Sequence, residues 1–373
     1  MLSTAKQLKV LAIEPFFGGS HRRFLEDAVE RSRFEWELVT GKPVHWKWRM
    51  RSAPLELARA ANEILADGFE PDVIFCSDML DLPSWRGILR NSDLATTPTA
   101  IYFHENQLTY PVAPKARIDH HYGYTNLLSA LTADSIIFNS PFHLQSFKAA
   151  SRKLLARMPD GADLHDLKQL SENSEVVAPG FSPPTPMPPR SSNEPLTIGW
   201  VARWEYDKRP DRFEKLVDDL EKRGLEFRLI LLGSHRRTPT ASLESIRQKH
   251  QSRIIHDGFA ASRQEYWQHL RNIDLVVSTA DHEFFGIAVC EAIWAGAIPI
   301  LPNRLNYPDL ASPECLYDDL GEATQLVFDF QCSQRRTDLR KTCREQVGVF
   351  QATKTVAQLD RLLERLVETK STS

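Results

Sequence analysis

The sequence has few cysteines and no long apolar run, and both shortages restrict the class of protein. Its 373 residues include five cysteines, an odd number with no C-x-x-C pair, which indicates reduced thiols in a cytosol. The N-terminus, MLSTAKQLKVLAIEP, leads into an apolar segment too short for a signal peptide. No segment has the run of about 18 apolar residues typical of a membrane-spanning helix. We therefore expect a soluble, cytoplasmic protein with no stable membrane association.

A strong net charge is also lacking. The formal charge of -3 gives no overall attraction for polyanions, so any contact with nucleic acid requires a local patch of cations. With 42% apolar residues, the chain is long enough for two domains of roughly 150 to 200 residues, each with its own core.

Short apolar runs alternate with helical patterns, which predicts α/β architecture with parallel sheets and right-handed crossovers. The predicted strands are LKVLAIE, DVIFCS, TAIYFHE, SIIFNS and EVVAP, then LTIGWVA, FRLILLG, RIIHDGF, DLVVST and AIPILP. Between the two sets, the proline-rich segment GFSPPTPMPPRSSNEP is typical of a hinge. The predicted organisation is an acceptor domain over 1–179, a linker over 180–195, a donor domain over 196–335 and C-terminal helices over 336–373. Because ligands of open parallel sheets bind beyond the carboxyl ends of the strands, we expect two Rossmann-like, doubly wound domains that face a central cleft.

Two cations and two carboxylates follow strand ends in the predicted second domain. Arg203 comes directly after LTIGWVA and Lys208 five residues later; two cations with no evident partner suit a diphosphate, although a pair of surface cations is the alternative. Glu283 lies between the strand DLVVST and a helix predicted to begin near Gly286, and Glu291 lies inside that helix. A carboxylate accepts hydrogen bonds from vicinal hydroxyls of a sugar or ribose, and a glycine lets the backbone approach a ligand at a helix N-terminus.

A D-x-D triplet, the usual ligand pattern for a divalent cation that holds a nucleotide diphosphate, is absent. The adjacent His120 and His121 are expected to point different ways on a helix, and His104 has no partner at metal-ligand spacing. We therefore expect no metal or other cofactor, with cations and helix N–H groups in place of the ion.

Two polar segments follow strand ends in the predicted first domain. In EPFFGGSHRRF, the two glycines permit a tight turn and Ser20 can cap the next helix, although a purely structural turn is the alternative. In TAIYFHENQLTYP, His104 begins a run of four polar residues that ends at Gln107. Loop capping is the alternative to a binding role for His104, and Glu105 or Asn106 could meet an acceptor hydroxyl. Glu105, Asn106 and Gln107 are the candidate acceptor-binding residues of this segment.

A basic and aromatic stretch, KPVHWKWRMRS, lies in what we predict to be a loop of the first domain. Exposed cations beside flat rings suit phosphate contact and base stacking, whereas packed tryptophans with solvated cations are the structural alternative. The candidate RNA-binding residues are His45, Trp46, Lys47, Trp48, Arg49 and Arg51, with Ser20, His21, Arg22 and Arg23 expected on the same rim.

The R-x4-K and E-x7-E pairs resemble the donor motif of the retaining, family 4 type of glycosyltransferase with the GT-B fold. The resemblance implies that Glu283 contacts the transferred sugar, Glu291 the ribose, and the two cations the diphosphate. It further implies a glycine loop over the donor phosphate, backbone contacts of HDGF to the nucleobase, and a hydrogen bond from His104 to the sugar. The residues implied in donor binding are Gly18, Gly19, Arg203, Lys208, Gly258, Phe259, Glu283, Phe285, Gly286 and Glu291, and those implied in catalysis are His104, Arg203, Lys208 and Glu283.

The strings EPFFGGSHRRF, HWKWRMRS and FHENQLTYP are more specific. Together with the donor motif they resemble the tRNA-queuosine mannosyltransferase family over nearly the whole chain. The resemblance implies transfer of mannose from GDP-mannose to the cyclopentenediol of queuosine in the anticodon of a tRNA for aspartate, with retention. It also implies front-face attack assisted by the leaving phosphate, so Glu283 is expected to bind sugar and not to act as a nucleophile.

Two alternatives stay open from the sequence. One is a family 4 type enzyme with another nucleotide-sugar donor and a lipid or small-molecule acceptor. The other is a non-catalytic protein that binds a nucleotide sugar or RNA on an inherited fold.

Overall fold

The computed structural model of the chain describes residues 7–89, 91, 94, 96–112, 119–159, 166–189, 195–233, 240–331 and 333–371. The chain divides into two compact units: unit 1 is Met1–Gly180 with Ala352–Ser373, and unit 2 is Phe181–Gln351. The division falls beside Gly180, where the predicted linker begins; residues 190–194 of that linker lie outside the described part. None of the described helices is both long and apolar enough to cross a membrane.

Unit 1 is built on a parallel sheet with the strands Lys9–Glu14 (β1), Glu35–Thr40 (β2), Val73–Ser77 (β3), Thr99–Phe103 (β4), Ser135–Phe138 (β5) and Ser174–Val176 (β6). The strands pair in the order β2-β1-β3-β4-β5-β6. Five of the six coincide with predicted apolar runs. The sequence EWELVT of β2 was not predicted, because this edge strand is mostly half-exposed and has no continuous apolar run.

Helices cover both faces of this sheet: Gly19–Arg31 (α1), Trp46–Ala66 (α2), Leu82–Leu89 (α3), His120–Thr132 (α4), Pro141–Leu155 (α5) and Asp166–Glu172 (α6). Alternate residues of β1 point into two separate layers of the core. Leu11 and Ile13 pack with apolar side chains of α2 to α5, whereas Val10 and Ala12 pack with Phe24 of α1. Burial on both faces explains why the central strands β1, β3, β4 and β5 are mostly apolar, unlike the edge strands β2 and β6.

Unit 2 repeats the architecture with the strands Leu196–Val201 (β7), Phe227–Leu232 (β8), Ile254–Gly258 (β9), Leu275–Val277 (β10), Ile298–Pro302 (β11) and Leu316–Tyr317 (β12). Its helices are Pro210–Lys222 (α7), Ala241–Lys249 (α8), Arg263–Arg271 (α9), Ile287–Ala295 (α10), Leu320–Asp329 (α11) and Ser333–Val347 (α12). The strand order is β12-β11-β10-β7-β8-β9, with parallel pairing. Five of these six strands were predicted. The strand β12 was not, because its two residues are too few to give a sequence pattern.

The last helix, Ala352–Ser371 (α13), belongs to unit 1 although it follows unit 2 in the chain. Its side chains Leu359 and Leu363 are fully buried, in the same core layer as β1 and α1. Asp360 accepts a hydrogen bond of 2.6 Å from Ser32 Oγ at the end of α1. The sequence predicted helices at the C-terminus and gave no sign that α12 packs in unit 2 and α13 in unit 1.

Two local predictions near the N-terminus were wrong. The HWKWRMRS stretch is not a loop, since α2 begins at Trp46 directly after His45, whose φ of 51° is left-handed. Ser20 does not cap α1 either, because the helix already begins at Gly19, with Gly18 as N-cap and no side-chain capping bond.

Candidate active site

Both sheets reverse their strand order beside their first strand, and polar side chains gather at each reversal. In unit 1, β1 pairs with β2 on one side and β3 on the other. In unit 2, β7 pairs with β8 and β10. Crossovers leave such a point in opposite directions, so a crevice forms outside the carboxyl ends of the strands, where doubly wound sheets bind ligands. Each unit therefore has one candidate site.

The reversal in unit 2 gathers three of the predicted donor-binding residues. Arg203 is exposed two residues beyond β7, and Lys208 ends the 3-10 turn Tyr206–Lys208. Glu283 lies in the loop between β10 and α10. Since β7 and β10 are neighbours, residues far apart in the sequence lie at the same edge of the sheet.

Lys208 is buried and fully engaged, which contradicts the prediction that its charge has no partner. Its Nζ lies 3.1 Å from Glu283 Oε2 and 3.1 Å from Asp207 Oδ2. It also donates a hydrogen bond of 2.6 Å to the carbonyl of His282. Asp207 had no signal in the sequence, because a single carboxylate beside a lysine is common on protein surfaces.

The pKa shifts of Lys208 and Glu283 agree with an ion pair. Burial by itself would lower the pKa of Lys208, but the carboxylates of Glu283 and Asp207 outweigh it and the pKa is raised. Burial would raise the pKa of Glu283, and the Lys208 ammonium instead holds that pKa below its usual value. Both groups are therefore charged at neutral pH.

Glu291 is buried in α10 and both of its carboxylate oxygens are occupied. Oε1 accepts a hydrogen bond of 2.8 Å from Arg263 Nη2, and Oε2 accepts one of 2.7 Å from the Tyr266 hydroxyl. Arg263 and Tyr266 come from α9, and no motif spacing pointed to either of them. Because a carboxylate oxygen has two lone-pair directions, Glu291 keeps acceptor capacity for a ribose hydroxyl.

Gly286 is required by the backbone at the start of α10. Its φ of 98° lies in the left-handed region, and a Cβ there would come within 3.1 Å of Leu310 Cδ1 and 3.6 Å of Glu283 Cγ. The adjacent Phe285 side chain is buried against Phe350, with ring centroids 5.2 Å apart. A contact of Phe285 with the donor would therefore be made by its backbone.

The HDGF segment ends the edge strand β9. Gly258 is its last residue and has a φ of 141°. The next residue, Phe259, is 78% exposed. An exposed ring at a carboxyl end offers a stacking surface for a flat ligand, in addition to the backbone groups that the sequence suggested.

In unit 1, the glycine turn after β1 has a steric reason. A Cβ on Gly18 would lie 2.3 Å from Pro43 Cβ, and Gly19 has a left-handed φ of 56°. No larger residue fits at the first position without movement of Pro43. The turn delivers the start of α1, and with it His21, to the end of β1.

His104 follows β4 and its backbone is held on both sides. Its N–H donates to Asp78 Oδ1 at 2.8 Å, and its carbonyl accepts from Asn139 Nδ2 at 2.8 Å. The imidazole lies among the rings of His21, Tyr102 and Phe24, at centroid distances of 4.0, 4.6 and 5.1 Å. Burial, followed by the neighbouring His21, lowers the pKa of His104 well below its usual value. His104 is therefore neutral at pH 7.

His21 is buried, so it does not lie on the exposed rim where we expected it to contact RNA. Its Nδ1 pairs with Glu14 Oε2 at 3.1 Å. The two neighbouring cations also have internal partners: Arg22 Nε donates to Glu26 at 2.6 Å, and Arg23 forms two hydrogen bonds with Asp27. None of the three is arranged as an unpaired phosphate contact.

Glu14, His21 and His104 form a compact group whose ligand-capable atoms all lie within 4.8 Å of one another. The prediction that His104 lacks a partner at metal-ligand distance was wrong, because β1, α1 and β4 meet only through the sheet. The contacts of Glu14 are those of an ion-paired carboxylate, and neither of its oxygens is left open as a metal ligand. Oε2 faces His21, and Oε1 accepts hydrogen bonds of 2.8 Å from Phe16 N and 3.0 Å from Ser77 Oγ.

The other polar residues after β4 have different environments. Asn106 is fully buried, and its Oδ1 accepts bonds from the backbone N–H groups of Leu108 and Thr109. Its amide is engaged inside this turn, and the contact of Asn106 with an acceptor stays a prediction. Glu105 and Gln107 are half-buried and joined by a hydrogen bond of 3.0 Å.

The first two turns of α2 form an exposed basic and aromatic surface. Lys47 Nζ and the Arg51 guanidinium lie 5.6 and 5.1 Å from the ring centroid of Tyr122 in α4. Within the described residues, neither cation forms an ion pair. Trp48 is 70% exposed, whereas Trp46 is half-buried.

Two members of the predicted RNA-binding set at α2 differ in their contacts. Arg49 pairs with Glu56 at 2.9 Å and is less available for a phosphate. His45 is exposed directly before the helix. Both cations of this surface lie over the ring of Tyr122. The sequence did not point to Tyr122, because this contact depends on the packing of two helices.

Comparison with solved structures shows the GT-B fold. A sucrose-phosphate synthase from Thermosynechococcus elongatus has a TM-score of 0.74 at 15% identity, covering 97% of this chain and 100% of its own. A glycosyltransferase from Rickettsia africae has a TM-score of 0.67 at 12% identity, covering 97% and 99%.

Sequence comparison gives a closer relationship. Residues 187–315 match the family described as glycosyl transferases group 1, and residues 9–181 match the family described as tRNA-queuosine alpha-mannosyltransferase N-terminal. A tRNA-queuosine alpha-mannosyltransferase of Drosophila melanogaster is 32% identical over 335 residues, 86% of either chain. The matched residues include both sheet reversals, with the Lys208–Glu283 pair in one and the Glu14–His21 pair in the other. The chain is therefore a glycosyltransferase that belongs to the tRNA-queuosine alpha-mannosyltransferase family.

Proposed function

We propose that the protein transfers mannose from GDP-mannose to the cyclopentenediol of queuosine in the anticodon of a tRNA for aspartate, with retention of the anomeric configuration. The observation that carries the proposal is the 32% identity to a tRNA-queuosine alpha-mannosyltransferase over 86% of both chains. The composition of the two candidate sites supports it. Unit 2 offers charges for a nucleotide sugar, and unit 1 offers exposed cations and rings for RNA.

The donor would bind at the sheet reversal of unit 2. Lys208 and Arg203 would face the diphosphate, Glu283 the mannose and Glu291 the ribose hydroxyls. Since Glu283 and Asp207 share the charge of Lys208, Arg203 and the N-terminal N–H groups of α10 must supply much of the remaining positive potential for the leaving group. In front-face attack the departing phosphate oxygen accepts the acceptor proton, so the protein mainly positions the reactants.

Transfer without a metal ion is part of this proposal. Two cations and a helix N-terminus are the groups that can replace a divalent ion at a diphosphate. Turnover after exhaustive treatment with EDTA should equal that of untreated enzyme. If chelation abolished transfer and added Mg²⁺ or Mn²⁺ restored it, metal independence would be wrong.

The tRNA would approach the α2 surface of unit 1, where Lys47, Trp48 and Arg51 are exposed and Tyr122 is buried beneath the two cations. Recognition of RNA loops commonly combines phosphate contacts with stacking of unpaired bases on exposed rings.

The four described cysteines Cys76, Cys290, Cys315 and Cys343 are free and buried, which suits the reducing cytosol in which we place the enzyme.

A direct assay tests both substrates. The protein is incubated with GDP-mannose labelled in the sugar and with tRNA for aspartate that carries queuosine; the matched control tRNA carries guanine at the same position. We expect label only in the queuosine tRNA, and loss of transfer in K208M. Label in neither tRNA, with folded protein and verified substrates, would refute the acceptor.

The donor base can be tested separately. Nucleotides that bind the folded state raise its melting temperature by mass action. We expect GDP and GDP-mannose to raise it more than UDP and UDP-glucose at equal concentration. The reverse order would refute the guanine nucleotide as donor.

A further inference from the structure

Four chain segments bring a buried polar cluster together at the sheet reversal of unit 1. Glu14 is the last residue of β1, and His21 lies in the first turn of α1. Ser77 is the last residue of β3, and His104 directly follows β4. Glu14 is 1% exposed and His21 6% exposed, so both charged groups are withdrawn from water.

Glu14 acts as an anchor with no free oxygen. Two of its hydrogen bonds, from Phe16 N and Ser77 Oγ, fix Oε1. The third, from His21 Nδ1, fixes Oε2. A carboxylate held at both oxygens has one orientation, so it also sets the orientation of the histidine ring that it binds.

The His21 ring in turn packs on the His104 ring. Their centroids are 4.0 Å apart with planes inclined by 35°. Tyr102 and Phe24 close two further sides of His104. The ring of His104 therefore contacts three rings, and its backbone is fixed by Asp78 and Asn139.

The charges of the two rings differ. Burial opposes protonation of His21, but Glu14 outweighs it and raises the pKa of His21 to about 9. The groups that face this pair from other segments are Asp78, Glu105 and His143. Burial raises the pKa of Asp78, which weakens its competition with Glu14 for the imidazolium.

We propose that His21 is a positioning residue of the transferase: held by Glu14 and stacked against His104, it fixes the orientation of the His104 ring. The proposal rests on the proposed function, in which His104 contacts the transferred sugar. A neutral imidazole donates from one nitrogen and accepts at the other, whereas an imidazolium can only donate. Burial is the main reason that the pKa of His104 is lowered, and cationic His21 lowers it further, which preserves the acceptor nitrogen of His104 for a sugar hydroxyl.

The test measures the protonation of both rings directly. Histidine labelled with ¹³C at Cε1 allows each ring to be titrated by NMR in the full chain, with H104N and H21N to assign the two signals. In the wild type we expect His21 to stay protonated above pH 8 and His104 to stay neutral at pH 6. If His104 titrated near 6.5, or His21 were neutral at pH 7, the proposal would be wrong, whatever the acceptor proves to be.

Variants then connect protonation with turnover. In H21N the repulsion from the imidazolium is lost, so the pKa of His104 should rise. We expect kcat to fall by about tenfold, equal to about 1.4 kcal/mol, with an acid limb in the kcat profile that the wild type lacks. E14Q, which keeps the shape of the anchor, should produce the same limb, because His21 loses its counter-charge.

H250N is the matched control. His250 is also buried and paired with a carboxylate, Asp218 at 2.8 Å, but it lies in unit 2 at the end of α8. This variant should lose some stability and keep the pH profile of kcat. H21K should recover part of kcat by restoring a cation beside Glu14. A purely structural role for His21 predicts equal pH profiles in H21N, H250N and wild type, and that result would overturn the proposal.

Failure of the proposed acceptor and failure of the positioning role of His21 give different results. If the enzyme labels a different acceptor but the NMR titration and the variant profiles behave as described, only the acceptor is wrong. If queuosine tRNA is mannosylated and the H21N profile is unchanged, only the positioning role is wrong.

Discussion

Lys208 is a buried cation between two carboxylates, and this sets the electrostatics of the proposed donor site. Glu283 and Asp207 each lie 3.1 Å from its Nζ, so the three groups together carry a net negative charge. A diphosphate would bind poorly to these three alone. We therefore expect Arg203, which is exposed two residues beyond β7, to be as necessary as Lys208 for binding a nucleotide sugar.

Removing one member of this ion pair should affect stability and turnover separately. K208M leaves the buried Asp207 and the half-buried Glu283 without a cation, so we expect a loss of roughly 3 kcal/mol in the free energy of unfolding. We also expect kcat to fall on the order of 10²-fold or more. The double variant K208M/E283Q should recover stability in denaturant titrations without recovering kcat. Recovery of kcat in the double variant would show that Lys208 has no role at the diphosphate.

The ion pair of His21 and Glu14 should make unit 1 sensitive to alkali. The pKa of His21 is raised from 6.5 to about 9 in the folded chain. The pair therefore stabilises the fold fully below pH 6.5, and this contribution disappears as pH rises through about 9. The contribution is at most about 3 kcal/mol, since one pKa unit corresponds to about 1.4 kcal/mol.

The measurement is the difference in melting temperature between wild type and H21N across pH. We expect a large difference at pH 6 that shrinks toward pH 9.5. A difference that stays constant would mean that the ring contributes by packing and not by charge.

At the scale of elements, the sequence was informative where burial is uniform. Strands buried on both faces, such as β3 and β4, are continuous apolar runs and were predicted. The start of α2 was misread because it lacks the usual signs of a helix N-terminus. His45 provides no side-chain cap, no acidic residue occupies the first turn, and Pro54 lies inside the helix.

A helical start for the HWKWRMRS stretch changes how it would bind RNA. On a helix, Lys47 and Arg51 are four residues apart and lie on one face, where both cover Tyr122. A flexible loop would not hold the two cations together. The helix instead presents two fixed charges beside Trp48.

This surface predicts a salt-dependent affinity for tRNA. K47A/R51A should raise KM for tRNA and reduce the slope of log KM against log salt by roughly 0.7 per lost phosphate contact. The matched control is R152A/K153A, which removes two adjacent exposed cations from α5. An equal effect of the two double variants would mean that general charge, and not the α2 surface, attracts the tRNA.

At the scale of the whole molecule, long-range pairing was beyond the sequence. The E-x7-E spacing indicated Glu283 and Glu291, but Lys208 is 75 residues from Glu283, and only the β7–β10 neighbourhood brings them together. Arg263 and Tyr266 reach Glu291 from another helix in the same way. Such contacts depend on the order of the strands in the sheet, and no local pattern in the sequence reveals that order.

The packing of α13 in unit 1 is the largest long-range contact that the sequence did not predict. It can be tested by finding which unit loses stability when a buried residue of α13 is replaced. Leu359 is fully buried in the core layer of β1 and α1. L359A should therefore cost about 2–5 kcal/mol, and the loss should appear as faster amide exchange in β1 and β3. These strands lie more than 270 residues earlier in the chain.

L55A is the control for that substitution, because Leu55 belongs to the same unit but is 61% exposed. A surface change of this kind usually alters stability by no more than about 0.5 kcal/mol. If L359A accelerated exchange chiefly in the strands of unit 2, α13 would belong with that unit in solution. Faster exchange confined to unit 1 would instead mean that the N-terminal sheet completes its core only after α13 has been synthesised, since α13 follows all the other described elements in the chain.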